Sequence, residues 1–360
     1  MIRKFYFILL LTAIVASCRD GEKSNTEYRQ TGSHPQTGGI DSADRNNNFY
    51  DNVESYPLSG GEILVEGEIE NPGMVDLASL PRHSVITKEA LLNEDGSNSF
   101  VGAYRYDGCS LFDILADRIL DKKNKEEFPP IIDLYVEIEN DRGEKAVLSW
   151  GEIYYPTVLH QIIIATDVMR IVPTKSKDLW PLPTERKLVM VNDLLSERNI
   201  SNPIKITVRS CDRSFLINRH LDPLWAPEVS FSDSASAWLT LGSKSSGMTE
   251  QTVHTIFYGR GRGIHSTQPF SGYPLQEFLQ KHLKESPETL REGLVLISSA
   301  DGYRSIFSLS EIINRNDQAN VLLVPVAPGE DGGLFRIFPS GDFFSDRAVK
   351  AVNNVIFLYP

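Results

Sequence analysis

The sequence predicts an α+β fold in duplicate, two copies of one domain built on mixed sheet. Two observations carry this. The first is a repeat. Gly143, Glu152 and Ile153 recur as Gly302, Glu311 and Ile312, at a constant offset of 159. Matching apolar runs keep the same offset: Val136-Glu137-Ile138 answers Val295-Leu296-Ile297, and Gln161-Ile162-Ile163-Ile164 answers Asn320-Val321-Leu322-Leu323. Shared glycines and shared apolar runs at one offset imply two copies of a folding unit. The second observation is the order of elements. Strands outnumber helices and mix with them without βαβ regularity.

In the first copy, Glu62 to Ile69 reads as a strand of part-alternating character, and Asn71-Pro72-Gly73 as a turn. Val75 to Leu80 predicts one helical turn stopped by Pro81, and His83 to Thr87 a strand. Asn93 to Gly102 is rich in Asn, Asp, Gly and Ser and reads as a loop. Apolar residues at 111, 112, 114, 115, 119 and 120 favour a helix after Gly108. A hairpin turns at Asp141-Arg142-Gly143, a helical turn starts at Glu152, and strands at 161–165, 187–191 and 204–208 close the copy. The second copy tracks this: an opening strand at Trp238 to Gly242, with Gly242 answering Gly67; a strand at 252–257; a helix start at Gly272; a hairpin around Asp301-Gly302; closing strands at 334–338 and 352–358. The segment 218–236, with Pro223, Pro227 and several serines, reads as a linker.

Arg3 and Lys4 precede an apolar run from Phe5 to Val15, of signal-peptide length and too short to span a bilayer. The run closes on Val15-Ala16-Ser17-Cys18 and resembles a bacterial lipoprotein signal, with cleavage after Ser17 and lipidation of Cys18. Residues 18–59 are polar and short of aliphatic side chains, so they cannot bury enough surface to offset their ordering entropy. They read as a tether. The expected organisation is a signal peptide at 1–17, a tether at 18–59, copy one at 60–217, a linker at 218–236 and copy two at 237–360.

The whole chain carries a net charge of −12. Removing residues 1–17 takes two basic and no acidic charges, leaving 34 Lys+Arg against 48 Asp+Glu, a net −14. Surplus acid argues against nucleic acid as a partner. Two cysteines remain, Cys109 and Cys211. A disulfide is open to them in an oxidising compartment, and two buried free thiols are the favoured alternative.

Val65-Glu66-Gly67-Glu68-Ile69-Glu70-Asn71-Pro72-Gly73, Gly272-Tyr273-Pro274-Leu275 and Ala300-Asp301-Gly302-Tyr303 with Ser308-Leu309-Ser310-Glu311 occur in an order that resembles the molybdopterin-binding domain of sulfite-oxidase-like oxidoreductases. The resemblance covers most of 60–210 and 237–360, and implies a mixed-sheet sulfite-oxidase-like fold. In that family one cysteine thiolate binds molybdenum, in the loop after the strand of Val85 or Val253. Here those loops read Thr87-Lys88-Glu89-Ala90-Leu91 and Thr255-Ile256-Phe257-Tyr258-Gly259, without cysteine. No cofactor is therefore expected, and molybdopterin only if the chain is an oxidoreductase after all.

Tyr258-Gly259-Arg260-Gly261-Arg262-Gly263 falls where the family approaches its pterin. Glycines there permit close backbone approach, and Arg260 and Arg262 can hold a phosphate or carboxylate; a basic surface turn is the competing reading. His265, Tyr303 and Arg304 are candidates to line the same cleft. His254 and His265 lack the spacing and companions of a zinc site, and no Ser/His/Asp, paired-carboxylate or Walker signature is visible. The preferred expectation is a lipid-anchored protein of the bacterial cell envelope, periplasmic or on the outer membrane, acting as a non-catalytic binding or scaffolding module for an envelope protein. The alternatives are a molybdopterin-dependent oxidoreductase and a capture protein for an anionic small molecule. Membrane attachment should depend on Cys18: in fractionated cells Cys18→Ala moves the protein to the soluble fraction, and a variant as membrane-bound as wild type refutes the anchor.

Overall fold

The computed structural model describes residues 49–50, 53–242, 248–327 and 332–359. The signal, Cys18 and most of the tether lie outside these residues. The described residues belong to one compact unit.

In chain order the first half contains β1 (Ser55–Pro57), β2 (Leu64–Gly67), β3 (Gly73–Met74), β4 (His83–Leu92), β5 (Asn98–Ser110), α1 (Leu111–Ala116), β6 (Leu134–Asn140), β7 (Lys145–Ser149), α2 (Trp150–Tyr154), β8 (Ile162–Arg170), β9 (Lys187–Met190) and β10 (Pro203–Ser210). The second half contains β11 (Val229–Ser232), β12 (Ala237–Leu241), β13 (Gln251–Val253), β14 (Phe257–Gly259), β15 (Gly263–Ser266), β16 (Phe270–Pro274), α3 (Leu275–Gln280), α4 (Pro287–Glu292), β17 (Leu294–Ser299), β18 (Arg304–Ser308), α5 (Ser310–Ile313), β19 (Val321–Pro325), β20 (Phe335–Pro339) and β21 (Val352–Leu358).

The chain is 42% strand and 12% helix, its small sheets set in a ring like the blades of a four-bladed propeller. This overturns the α+β expectation and the sulfite-oxidase-like fold with it. The physical reason is helix length. No described α-helix exceeds six residues, so each is a one- or two-turn cap on a strand and none can cover a sheet as a layer. The apolar run at 111–115 has helical spacing, but Ser110 caps it at one end and it stops at Ala116. The turn expected at 75–80 is a single 3₁₀ turn, Leu77–Ser79.

Each half contributes two sheets of matching topology. One runs β3-β2-β10-β6-β7 in the first half and β12-β11-β21-β17-β18 in the second, with the pairs β2/β10 and β11/β21 parallel and the rest antiparallel. The other is β4-β5-β8-β9 and its equivalent β13-β16-β19-β20, with β1 added along β8 in the first half. Gly143 and Gly302 close equivalent hairpin turns at φ 81° and 83°, a left-handed conformation that favours glycine. At Gly108 and Gly272 a Cβ would sit 2.1 Å from the Ile164 carbonyl and 2.8 Å from the Leu323 carbonyl, so both strands need glycine where they cross their neighbour. The opening strand of the second half is β11, inside the stretch read as a linker. The expected strand at 238–242 is β12, the equivalent of β3 rather than β2. Of the expected loop at 93–102, residues 93–97 form the turn and 98–102 are the start of β5.

Each half buries a core between its own two sheets. Val65, Val136, Leu148 and Ile206 face Ile164, Leu188 and Met190 in the first. Phe231, Ile297 and Val355 face Leu323, Ile337 and Phe335 in the second. Where the halves meet, Val147 packs with its equivalent Ile306.

Around that contact lies a buried ionic network with two-fold pseudosymmetry. Arg198 is bidentate to Asp193 (2.6 and 2.8 Å) and to Glu152 (2.6 and 2.9 Å). Its equivalent Arg347 is bidentate to Asp342 (2.6 and 2.8 Å) and reaches Glu311 at 3.0 Å. Each guanidinium also donates across the boundary, Arg198 to Ser308 and Arg347 to Ser149, both at 3.0 Å. Those serines donate in turn to the carboxylate opposite, Ser308 to Glu152 at 2.9 Å and Ser149 to Glu311 at 2.5 Å. Arg347 crosses Gly151 of the first half so closely that a Cβ there would lie 2.4 Å from its Nε. Removing one cation would leave two carboxylates buried without their ion-pair partner. Arg198→Ala should therefore cost about 3–5 kcal/mol in urea denaturation; a loss of less than about 1 kcal/mol refutes this role.

The network holds two cations against four carboxylates, and that excess shapes its titration. Burial pushes Asp193 up to about 6 and Glu311 up to about 7, and raises Asp342. Burial also acts on Glu152, but Arg198 outweighs it and holds that carboxyl below its usual range. A carboxyl with a raised folded-state pKa binds its proton more tightly folded than unfolded. Its stabilising effect is full below the unfolded pKa and is lost as pH rises through the folded one. The window therefore runs from the ordinary 3.8–4.5 to about 7, and Glu152 acts below it. Wild-type stability should fall from about pH 4 to about pH 7, and Glu311→Gln should flatten that profile. Parallel profiles for the two proteins refute the assignment.

Candidate functional site

β14 and β15 pair only with each other. They form a short hairpin in the second half with no equivalent in the first. Phe257 anchors it, packing edge-on against Phe270 and Phe338 at 5.2 and 5.6 Å between ring centroids. The turn Arg260-Gly261-Arg262 closes on Gly263 at φ 72°. Tyr258 tilts against Phe343 and Phe344. His265 packs over Gly259, where a Cβ would lie 2.4 Å from its Nε2.

The structure brings together some of the residues expected from sequence and separates others. Arg260 is ion-paired with Asp346 and lies 6.0 Å from the Tyr155 ring centroid. Tyr303 donates to the Asp346 backbone carbonyl at 2.7 Å, so Tyr258, Arg260 and Tyr303 gather around Phe343 to Asp346. Arg262 is exposed and makes no ion pair with a described residue. His265 lines an open groove of about 490 Å³ together with Ser266, Gln268, Arg336 and Lys350. Arg304 does not join them. It is fully buried, bonds Asp133 at 3.1 Å and Glu127 at 3.0 Å, and stacks its guanidinium 4.4 Å from the Phe128 ring. It ties β18 to the first half and is closed to any ligand.

The exposed face of the hairpin is apolar as well as basic. Ile256 and Ile264 are 64% and 61% exposed, Phe343 50% and Tyr258 41%. Large side chains seldom stand so open in a cluster unless something covers them.

A second cluster went unread in the sequence. His83 begins β4, Asp113 lies in α1, and His160 precedes β8. His83 Nε2 is 2.7 Å from Asp113 Oδ2, and His160 Nδ1 is 3.3 Å from the same oxygen. Ser110 donates to Asp113 at 2.5 Å and lies 2.9 Å from His160 Nδ1. Burial raises the Asp113 carboxyl, but the Ser110 hydroxyl and the two imidazoles prevail and hold it below its ordinary value. The adjoining cavity, lined by His160, Gln161 and Asn192, is about 20 Å³, room for one water and not for an organic substrate.

Neither cysteine offers a thiolate. Both are free and buried, burial raises both thiols, and Cys109 donates to the Leu77 carbonyl at 3.2 Å. The residues present do not fit a thiolate-bound molybdenum. Ser110 is no nucleophile either: it is fully buried and occupied in capping α1. No family model matches the chain, and no curated protein is significantly similar to it.

Proposed function

We propose that the protein is a lipid-anchored, non-catalytic binding module of the bacterial cell envelope, and that β14–β15 docks an acidic, apolar-anchored segment of a partner protein. One observation carries this: a hairpin that joins no larger sheet exposes Tyr258 and Ile264, with Ile256 just before it and Phe343 packed against it, beside Arg260 and Arg262. Exposed aromatic and aliphatic anchors next to arginine are the composition of interface hot spots. The charge of the occupant follows from complementarity. Arg262 is exposed on the hairpin turn and makes no ion pair with a described residue, in a chain whose net charge is −12. Capture of a small anion between Arg260 and Arg262 is less favoured, because Arg260 already meets Asp346. The oxidoreductase reading has no support from any described residue.

The test places a photoreactive amino acid at position 264 in the native host, with Met74, 59% exposed on the first half, as the control position. Position 264 should give a discrete protein adduct that position 74 does not. Arg262→Glu should reduce it about ten- to a hundred-fold, the loss of one charge-assisted contact. No adduct at position 264, or the same adducts at both positions, overturns the proposal.

A further inference from the structure

We propose that His83, Asp113 and His160 bind one divalent first-row transition ion, with zinc the best fit, in the first half alone. Two imidazoles and a carboxylate are the donor set for such ions, and their three ligand atoms lie within 4.8 Å of one another. Tetrahedral zinc with bonds of about 2.0–2.1 Å holds its ligand atoms roughly 3.3 Å apart. The His160 separation from Asp113 Oδ2, 3.3 Å, already matches that value, and the His83 separation, 2.7 Å, must open by about 0.6 Å on loading.

The surroundings are organised for the purpose. His160 stands at φ 66°, a left-handed conformation uncommon for a residue other than glycine, and that backbone sets its ring beside Asp113. Phe112 meets the His160 ring edge-on at 5.3 Å. Ser110 bonds the carboxylate and fixes its orientation, as outer-shell partners of metal ligands do. The two rings stack at 4.1 Å and 7°. Parallel rings cannot both aim a lone pair at one ion, so loading requires one ring to tilt out of the stack.

The second half supplies an internal comparison. Gln251 pairs with Gly272 as His83 pairs with Gly108. Glu277 holds the place of Asp113 in α3, and Gln318, at φ 59°, occupies the turn before β19. That half keeps the backbone and lacks both imidazoles. It also shows that glutamine is accepted at the position of His83, and the thermal midpoint of each apo variant reports whether His83→Gln and His160→Gln keep the fold.

The experiment titrates zinc chloride into the mature chain, purified without a histidine tag, by calorimetry, with cobalt as a spectroscopic substitute. Wild type should bind one equivalent, and zinc should raise its thermal midpoint. Ser110→Ala should weaken binding roughly 10–100-fold, and His83→Gln or His160→Gln by more than that. His254→Gln and His265→Gln should leave it unchanged. Absence of zinc binding by wild type, or one-equivalent binding that survives both His83→Gln and His160→Gln, overturns the proposal.

Discussion

The two halves are held as one body by two guanidinium groups exchanged across a pseudo-two-fold axis. Arg198 and Arg347 each neutralise carboxylates in their own half and donate to a serine in the other. Desolvating six charged groups is expensive, so the network cannot be assumed to contribute net stability. What it supplies is register. An ionic pair out of place by one residue would bury an unmatched charge, whereas Val147 against Ile306 would tolerate the slip. Backbone contacts repeat the symmetry: Leu194 donates to the Asn314 carbonyl at 2.7 Å and Phe343 to the Tyr155 carbonyl at 2.6 Å.

With the frame common to both halves, the differences stand out, and both candidate sites lie on them. The first half extends β4 and β5 into a long pair and carries the two histidines. The second half has only three residues in β13, and the chain between β13 and β16 forms the separate hairpin β14–β15. A duplicated frame fixes one copy of each element for stability and leaves its counterpart's edge open to change. Sites grafted on edges and turns do not disturb the buried network.

The repeat was legible because its markers are local. A glycine with positive φ at a hairpin turn and an acidic residue opening the next helical turn survive in sequence as fixed spacings. The network was not legible. The register changes from Ile162 opposite Met190 to Val321 opposite Pro339, so the offset falls from 159 to 149 after β8 and β19. Asp193 and Arg198 therefore escape a search at the first offset. The fold class failed for a different reason: apolar spacing at 111–115 and 275–279 reports a helical face but not its length, and six residues make a cap and not a layer. β11 was hidden because Val229-Ser230-Phe231-Ser232 is short and follows a proline-rich stretch. Of the site residues, Tyr258 and the arginines showed as a basic glycine-rich turn. His83, Asp113 and His160 come from a strand, a helical cap and a turn, and only the sheet pairing β4-β5-β8 brings them together.

Both candidate sites touch the network without depending on its titration. Asp346, which receives Arg260, directly precedes Arg347, and the cavity beside His160 is also lined by Glu152 and Arg315. Proximity of this kind is support, not communication. Coupling between sites requires an element with two discrete arrangements that both sites bias. The groups here are bidentate, buried and crossed between halves in a single arrangement. The network therefore acts on the hairpin and on the histidine cluster as a fixed platform. It positions Asp346 for one and closes the cavity wall for the other, and ligand binding at either place needs only local movement of a ring or a turn.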